Sequence, residues 1–133
     1  MTRLRQRLLW EMAQLGAPLS EGDARLIEAM HEHPEYSHLW GRLDELSDEE
    51  IERDGVNPIL HVTVHQIIEN QLADGDPQEV GRVLKALMQQ GLTRHEAIHR
   101  IGTVLADEIF HILRDGRPFD EPGYVRRLQQ LVR

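Results

Sequence analysis

Apolar residues recur along most of this chain at helical spacing, and glycine and proline punctuate them. Leu4, Leu8, Met12 and Leu15 stand at i, i+4, i+8 and i+11, so residues 3 to 15 read as one amphipathic helix ended by Gly16 and Pro18. Ser20 caps a second helix running to about His33, where Pro34 stops it. EYSHLWGRLDEL, residues 35 to 46, predicts a third, with Gly41 as its weak point. SDEE at 47 to 50 spells a capping box, whose helix meets Gly55 within two turns.

The second half is punctuated more sharply. Asn57 and Pro58 supply a cap and a first-turn proline for ILHVTVHQIIENQLA, which Asp74-Gly75 stops. Asp76-Pro77 with Glu79 opens the next helix, ending at Gly91. Thr93 with Glu96 forms another capping box and opens a long helix to about Arg114, closed by Asp115-Gly116 and Pro118. Asp120 begins a last helix through Arg133. HVTVHQII fits alternating as well as helical spacing, but its length and caps favour helix. The expected fold is therefore all-α, a single-domain helical bundle of five to seven helices over residues 1–133. Within it, 1–16 is an amphipathic N-terminal helix and 57–115 a His-bearing three-helix half. A chain of 133 residues can bury one real core and is too short for two independent ones.

Composition narrows the function classes. With no cysteine, disulfides and thiolate sites are excluded, and any metal needs imidazole and carboxylate ligands. That also fits a reducing, cytoplasmic setting. A net charge of -8 argues against binding a phosphate backbone, so no nucleic-acid partner is expected. Basic residues gather at the ends, in Arg3, Arg5, Arg7 and in Arg126, Arg127, Arg133, around the acidic DELSDEEIERD. These read as solvated faces. No run of about 18 apolar residues exists, so no membrane span is expected. The N-terminal segment is interrupted by Glu11 and Gln14 and reads as mature protein.

Histidine is the compositional oddity: eight His exceed the two Phe, two Trp and two Tyr combined. On the helix from Pro58, His61, His65, Ile68 and Leu72 share a stripe, with Glu69 one turn beyond His65. On the helix from Arg94, His95, His99, Gly102, Ala106, Ile109 and Leu113 form another, and the small residues leave room for a neighbouring helix. Short connections make these two helices parallel second neighbours. At a rise of about 1.5 Å per residue the pairs then sit at nearly one level. Four imidazoles can thus converge. Lying near helix starts, they are favoured in the neutral, metal-ligating form. His99 lies deepest in its stripe and is expected to have the least access to water.

HEAIH at 95 to 99 also fits the zinc-peptidase pattern H-E-x-x-H, with Gly102 extending it. The longer metzincin form needs His at 105, where this chain has Leu105. Glu96 has a structural explanation in its capping box, Glu121 is better read as a first-turn charge, and no strand is predicted to line a peptide. Four Glu-x-x-His pairs, Glu28/His31, Glu35/His38, Glu96/His99 and Glu108/His111, match the spacing of di-iron bundles, but no complete set forms. Individually each reads as an ordinary surface pair.

NPILHVTVH from Asn57 to His65 and HEAIH from His95 to His99 resemble a bacterial family called domain of unknown function 1841. HPEY at 33 to 36 and the segment from Phe119-Asp120 to Leu131 resemble it too. The likeness runs from about residue 30 to the C-terminus. His61, His65, His95, Glu96 and His99 match the family's motifs, whereas Glu69 departs from its pattern. The resemblance implies a shared site and transfers no activity.

The leading reading is a metal-binding helical bundle whose ligands are His61, His65, His95 and His99, with Glu69 and Glu96 as candidate carboxylates. Four imidazoles suit a structural Zn²⁺. Recruiting Glu69, Glu96 or Glu108 would instead suit iron, manganese or a second ion and leaves an enzymatic role open. The alternative is a helical interaction module with packed histidines and a homodimer or protein partner. A zinc hydrolase ranks below both.

Overall fold

The computed structural model describes residues 3–52 and 57–132. Within them are eight α-helices and one short 3-10 turn, and no strand among the described residues. Contacts divide the chain into two compact units, Met1–Gln66 and Ile67–Arg133. This boundary falls inside a helix of the expected 57–115 half and assigns its two His pairs to different units.

The N-terminal unit contains α1 (Arg3–Gln14), α2 (Glu21–His31), a 3-10 turn (Pro34–Tyr36), α3 (Ser37–Trp40), α4 (Asp48–Ile51) and the first half of α5 (Pro58–Asp74). Ser20 caps α2 by accepting the Asp23 N–H, and Pro34, which cannot continue a helix, follows its end. The expected helix over 35–46 is broken. After α3, Gly41 leaves helical geometry and Arg42 and Glu45 make i to i−3 turns. Gly41 has no side chain whose burial would repay its backbone entropy. Ser47 and Glu50 do form the capping box, each taking the other's N–H. The expected break at Gly55 lies outside the described residues. Leu26, Met30, Trp40, Leu43, Ile51 and Val62 form the core here. Gln66 ties α5 to α2 by donating to the Gly22 carbonyl at 2.9 Å.

Helix α1 has an unexpected orientation. Its inward residues are Gln6 and Leu9, flanked by Trp10 and Ala13. Leu4, Leu8 and Met12 remain 47, 43 and 40% exposed and Leu15 86%.

The C-terminal unit comprises the rest of α5, then α6 (Gln78–Gln89), α7 (Arg94–Asp115) and α8 (Glu121–Gln130). Helices α6, α7 and α8 pack on one another. Asn57 caps α5 through the Ile59 and Leu60 N–H groups, and Thr93 caps α7 through that of Glu96. Gly116 closes α7 in the left-handed conformation, φ 65°, which costs glycine no steric penalty. The cap expected from Asp76 is not used: Pro77 occupies the N-cap position without a side-chain bond. The buried face of α7 is Ala97, Ile98, Ile101, Gly102, Leu105 and Glu108. It is rotated from the expected stripe, and Leu113 is largely exposed. Tyr124, fully buried, donates its hydroxyl to Gln71. Its phenol is pushed up to about 12 by burial. No helix among the described residues is long and apolar enough to cross a membrane.

Candidate metal centre

Three imidazoles meet in the N-terminal unit. His61 and His65 stand one turn apart on α5, as i, i+4 spacing requires. The third is His33, from the short link between α2 and the 3-10 turn. Pro34 holds it there, because a proline disfavours helical geometry in the residue before it. His33 has φ −121° and ψ 64°, and its ring stacks on Tyr36 at 6.3 Å. His33 and His65 are the buried imidazoles, 6 and 5% exposed. The expectation that His99 would be the most sequestered therefore gives way. That expectation weighed neighbours along one helix and overlooked a ring arriving from a loop.

Proton placement is informative. The His33 Nδ1–H donates to the Ala29 carbonyl at 2.7 Å, since a carbonyl only accepts. In the neutral ring the lone pair then lies on Nε2. That atom is 2.9 Å from His61 Nε2, which is itself 3.2 Å from His65 Nε2. One ligand nitrogen from each ring lies within 4.8 Å of the others. His61 Nε2 is shared by both contacts. A cation among the three nitrogens accepts every lone pair. Metal–nitrogen bonds of about 2.0–2.1 Å place neighbouring donors about 2.9 Å apart in octahedral and about 3.4 Å apart in tetrahedral geometry. The observed separations are of that size.

The other expected site residues lie in the C-terminal unit. His95 and His99 are adjacent on α7, ring centroids 4.2 Å apart. Glu96 is exposed and its N–H donates to Thr93. Glu69 pairs bidentately with Arg94, at 2.8 and 3.1 Å.

Glu108, read from sequence as half of a surface Glu-x-x-His pair, is 1% exposed. Arg117 binds both its oxygens, at 2.7 and 3.0 Å. Arg127 and the Asp120 N–H complete the set at 2.5 and 3.2 Å. Its carboxyl is held down to about 2, by Arg117 first and then by the other donors. Four acceptor positions filled by four donors leave it no capacity for a metal. The surface reading failed because both arginines follow Glu108 in sequence, beyond the helix on which the spacing was read. Its neighbour His111 donates to the Asp107 carbonyl.

His33 escaped the sequence reading because a search at helical spacing finds ligands on one helix, while this one precedes a proline in a link. Its signal was present in HPEY, among the stretches that carry the family resemblance.

A family model described as a domain of unknown function (DUF1841) matches residues 2–130. The likeness thus begins well before residue 30 and takes in α1. Neither a curated protein nor a solved structure matches the chain.

Proposed function

We propose that this chain, which belongs to the DUF1841 family, is a metal-binding helical protein whose ligands begin with His33, His61 and His65. The observation that carries this reading is the convergence of three Nε2 atoms on His61, at 2.9 and 3.2 Å, with the His33 tautomer set by Ala29. A hydrogen bond donated by the outer ring N–H to a backbone carbonyl is the usual support of a ligating histidine. An all-imidazole set selects a borderline ion, Zn²⁺ first and iron next, whereas manganese would call for carboxylate ligands. His95 and His99, the other imidazoles expected to ligate, stand on α7 and are tested by substitution. Four imidazoles make a closed, structural site; three and a water make one open to chemistry.

The deciding experiment is metal analysis of protein purified without a His tag, followed by titration of Co²⁺ into the stripped protein. About one ion per chain and a ligand-field spectrum that His33→Ala abolishes are expected. Metal-free protein whose melting is indifferent to chelator and to added Zn²⁺ would overturn the proposal.

A further inference from the structure

Helix α1 is apolar on two opposite sides. One side, Gln6, Leu9, Trp10 and Ala13, belongs to the core of its own unit. The other carries Leu4, Leu8, Met12 and Leu15, each 40% exposed or more. Leu15 continues the helical stripe, for its N–H still bonds to the Glu11 carbonyl at 3.1 Å. At 100° per residue the second side is a narrow band about 155° from the first. A lone exposed leucine needs no explanation, but a contiguous band over three turns marks an interaction surface.

We infer that this band is the seat of a homodimer in which α1 of one chain packs antiparallel on α1 of another. The band is close to symmetric about its own middle. Reversing the helix sets Leu4 against Leu15 and Leu8 against Met12, as the self-complementary patch of a two-fold interface requires. Charge agrees with this direction. Arg7 and Glu11 lie along one flank of the band, paired at 2.8 Å, and Arg7 also holds Asp44 at 2.5 Å. In the antiparallel arrangement each Arg7 comes opposite the partner's Glu11, giving four charges that alternate in sign. Antiparallel packing also opposes the two helix dipoles, and it separates the arginine-rich starts, Arg3, Arg5 and Arg7, which a parallel pair would bring together. Four apolar side chains from each chain make a small interface, so association is expected to be weak and concentration-dependent.

The chain has no cysteine, which makes directional cross-linking clean. Sedimentation of the full-length protein over a wide concentration range should show mass rising from monomer to dimer, and Leu8→Glu should weaken association at least tenfold with its melting temperature retained. Leu8→Cys mixed with Met12→Cys should form a disulfide-linked heterodimer faster than either variant links to itself. Monomer at every concentration, a dimer indifferent to Leu8→Glu, or rapid self-linking of Leu4→Cys, the mark of a parallel pair, each overturns the inference. Chains that stay monomeric but float with anionic vesicles through Leu8 overturn it in favour of a lipid surface.

Discussion

Each unit of the chain buries a polar cluster, and the two clusters are balanced in opposite ways. In the C-terminal unit, Glu108 is a full charge almost without solvent, yet its oxygens receive four hydrogen bonds from Arg117, Arg127 and Asp120. The protein supplies both signs of charge itself. In the N-terminal unit, His33, His61 and His65 turn nitrogen toward nitrogen, and all three are of one chemical kind. Each ring can present a lone pair at Nε2, and a set of imidazole lone pairs is what a borderline cation takes. Burial of polar groups alone does not distinguish a structural staple from a ligand site. The chemical kind of the groups does: a carboxylate met by guanidiniums is neutralised in place, whereas imidazoles facing one another present ligand atoms.

The largest expected effect tests the closed cluster. Glu108→Ala leaves Arg117 without its carboxylate and Arg127 with Asp107 alone, and breaking a buried pair costs about 3–5 kcal/mol. Arg117 and Arg127 are 33 and 32% exposed and water can take over part of their solvation, so about 2–4 kcal/mol is expected in denaturant unfolding. The pH dependence has a definite sign. The folded-state value of about 2 lies below the usual 4.5, so this carboxylate stabilises the fold fully above pH 4.5, and its contribution is lost as pH falls from there toward 2. Glu108→Gln should flatten stability in that window and leave metal content unchanged. An unaltered acid limb would mean that other carboxylates govern acid unfolding.

The next effect tests the imidazole cluster. A ligand at about 100 times its dissociation constant stabilises by about 2.7 kcal/mol, so chelator should lower the melting temperature of the metal-loaded protein by several degrees. His33→Ala, His61→Ala or His65→Ala should abolish that response. The acid-cluster variant Glu108→Gln should keep it, which would show the two clusters to be energetically separate. Loss of the chelator response in Glu108→Gln would break the comparison.

The two α7 histidines are tested by the same readout. Retention of the chelator response in both His95→Ala and His99→Ala is expected of a ligand set made by His33, His61 and His65, and its loss in either would add that residue to the set. Glu96→Gln should retain metal and nearly all stability, because the cap it serves runs through its backbone N–H to Thr93. Full metal occupancy in His99→Ala excludes it as a required donor. A peptide-cleaving activity lost only in Glu96→Gln would instead favour the zinc hydrolase.

How much of this was legible in the sequence follows from the range of the interactions. Caps are local, so Ser20, Asn57, Thr93 and Gly116 located helix ends within a residue or two. The rotation of α1 was not legible, because the band at Leu4, Leu8, Met12 and Leu15 and the side at Leu9, Trp10 and Ala13 are both apolar at helical spacing. Nothing local says which one a core will take. The His61/His65 pair could be read from one helix, whereas His33 reaches them across 28 residues. Glu108 was misjudged for the same reason, since its arginines lie 9 and 19 residues further on.

The smallest expected effect concerns Glu69, the carboxylate one turn beyond His65. Periodicity alone made it a candidate ligand. Its oxygens face Arg94, with Glu69 and Arg94 side chains 31 and 52% exposed, and pairs that wet are worth about 0–1 kcal/mol. Glu69→Gln keeps the shape and one acceptor oxygen, so a loss below about 0.5 kcal/mol is expected, shrinking further in high salt as screening shortens the reach of the charge. Metal content should not change. A carboxylate that ligated the ion would behave otherwise, since its amide is a poor ligand and metal affinity would fall at least tenfold while the salt dependence stayed flat. Measuring stability at two ionic strengths beside metal occupancy therefore decides whether Glu69 belongs with the self-contained ion pairs or with the imidazoles.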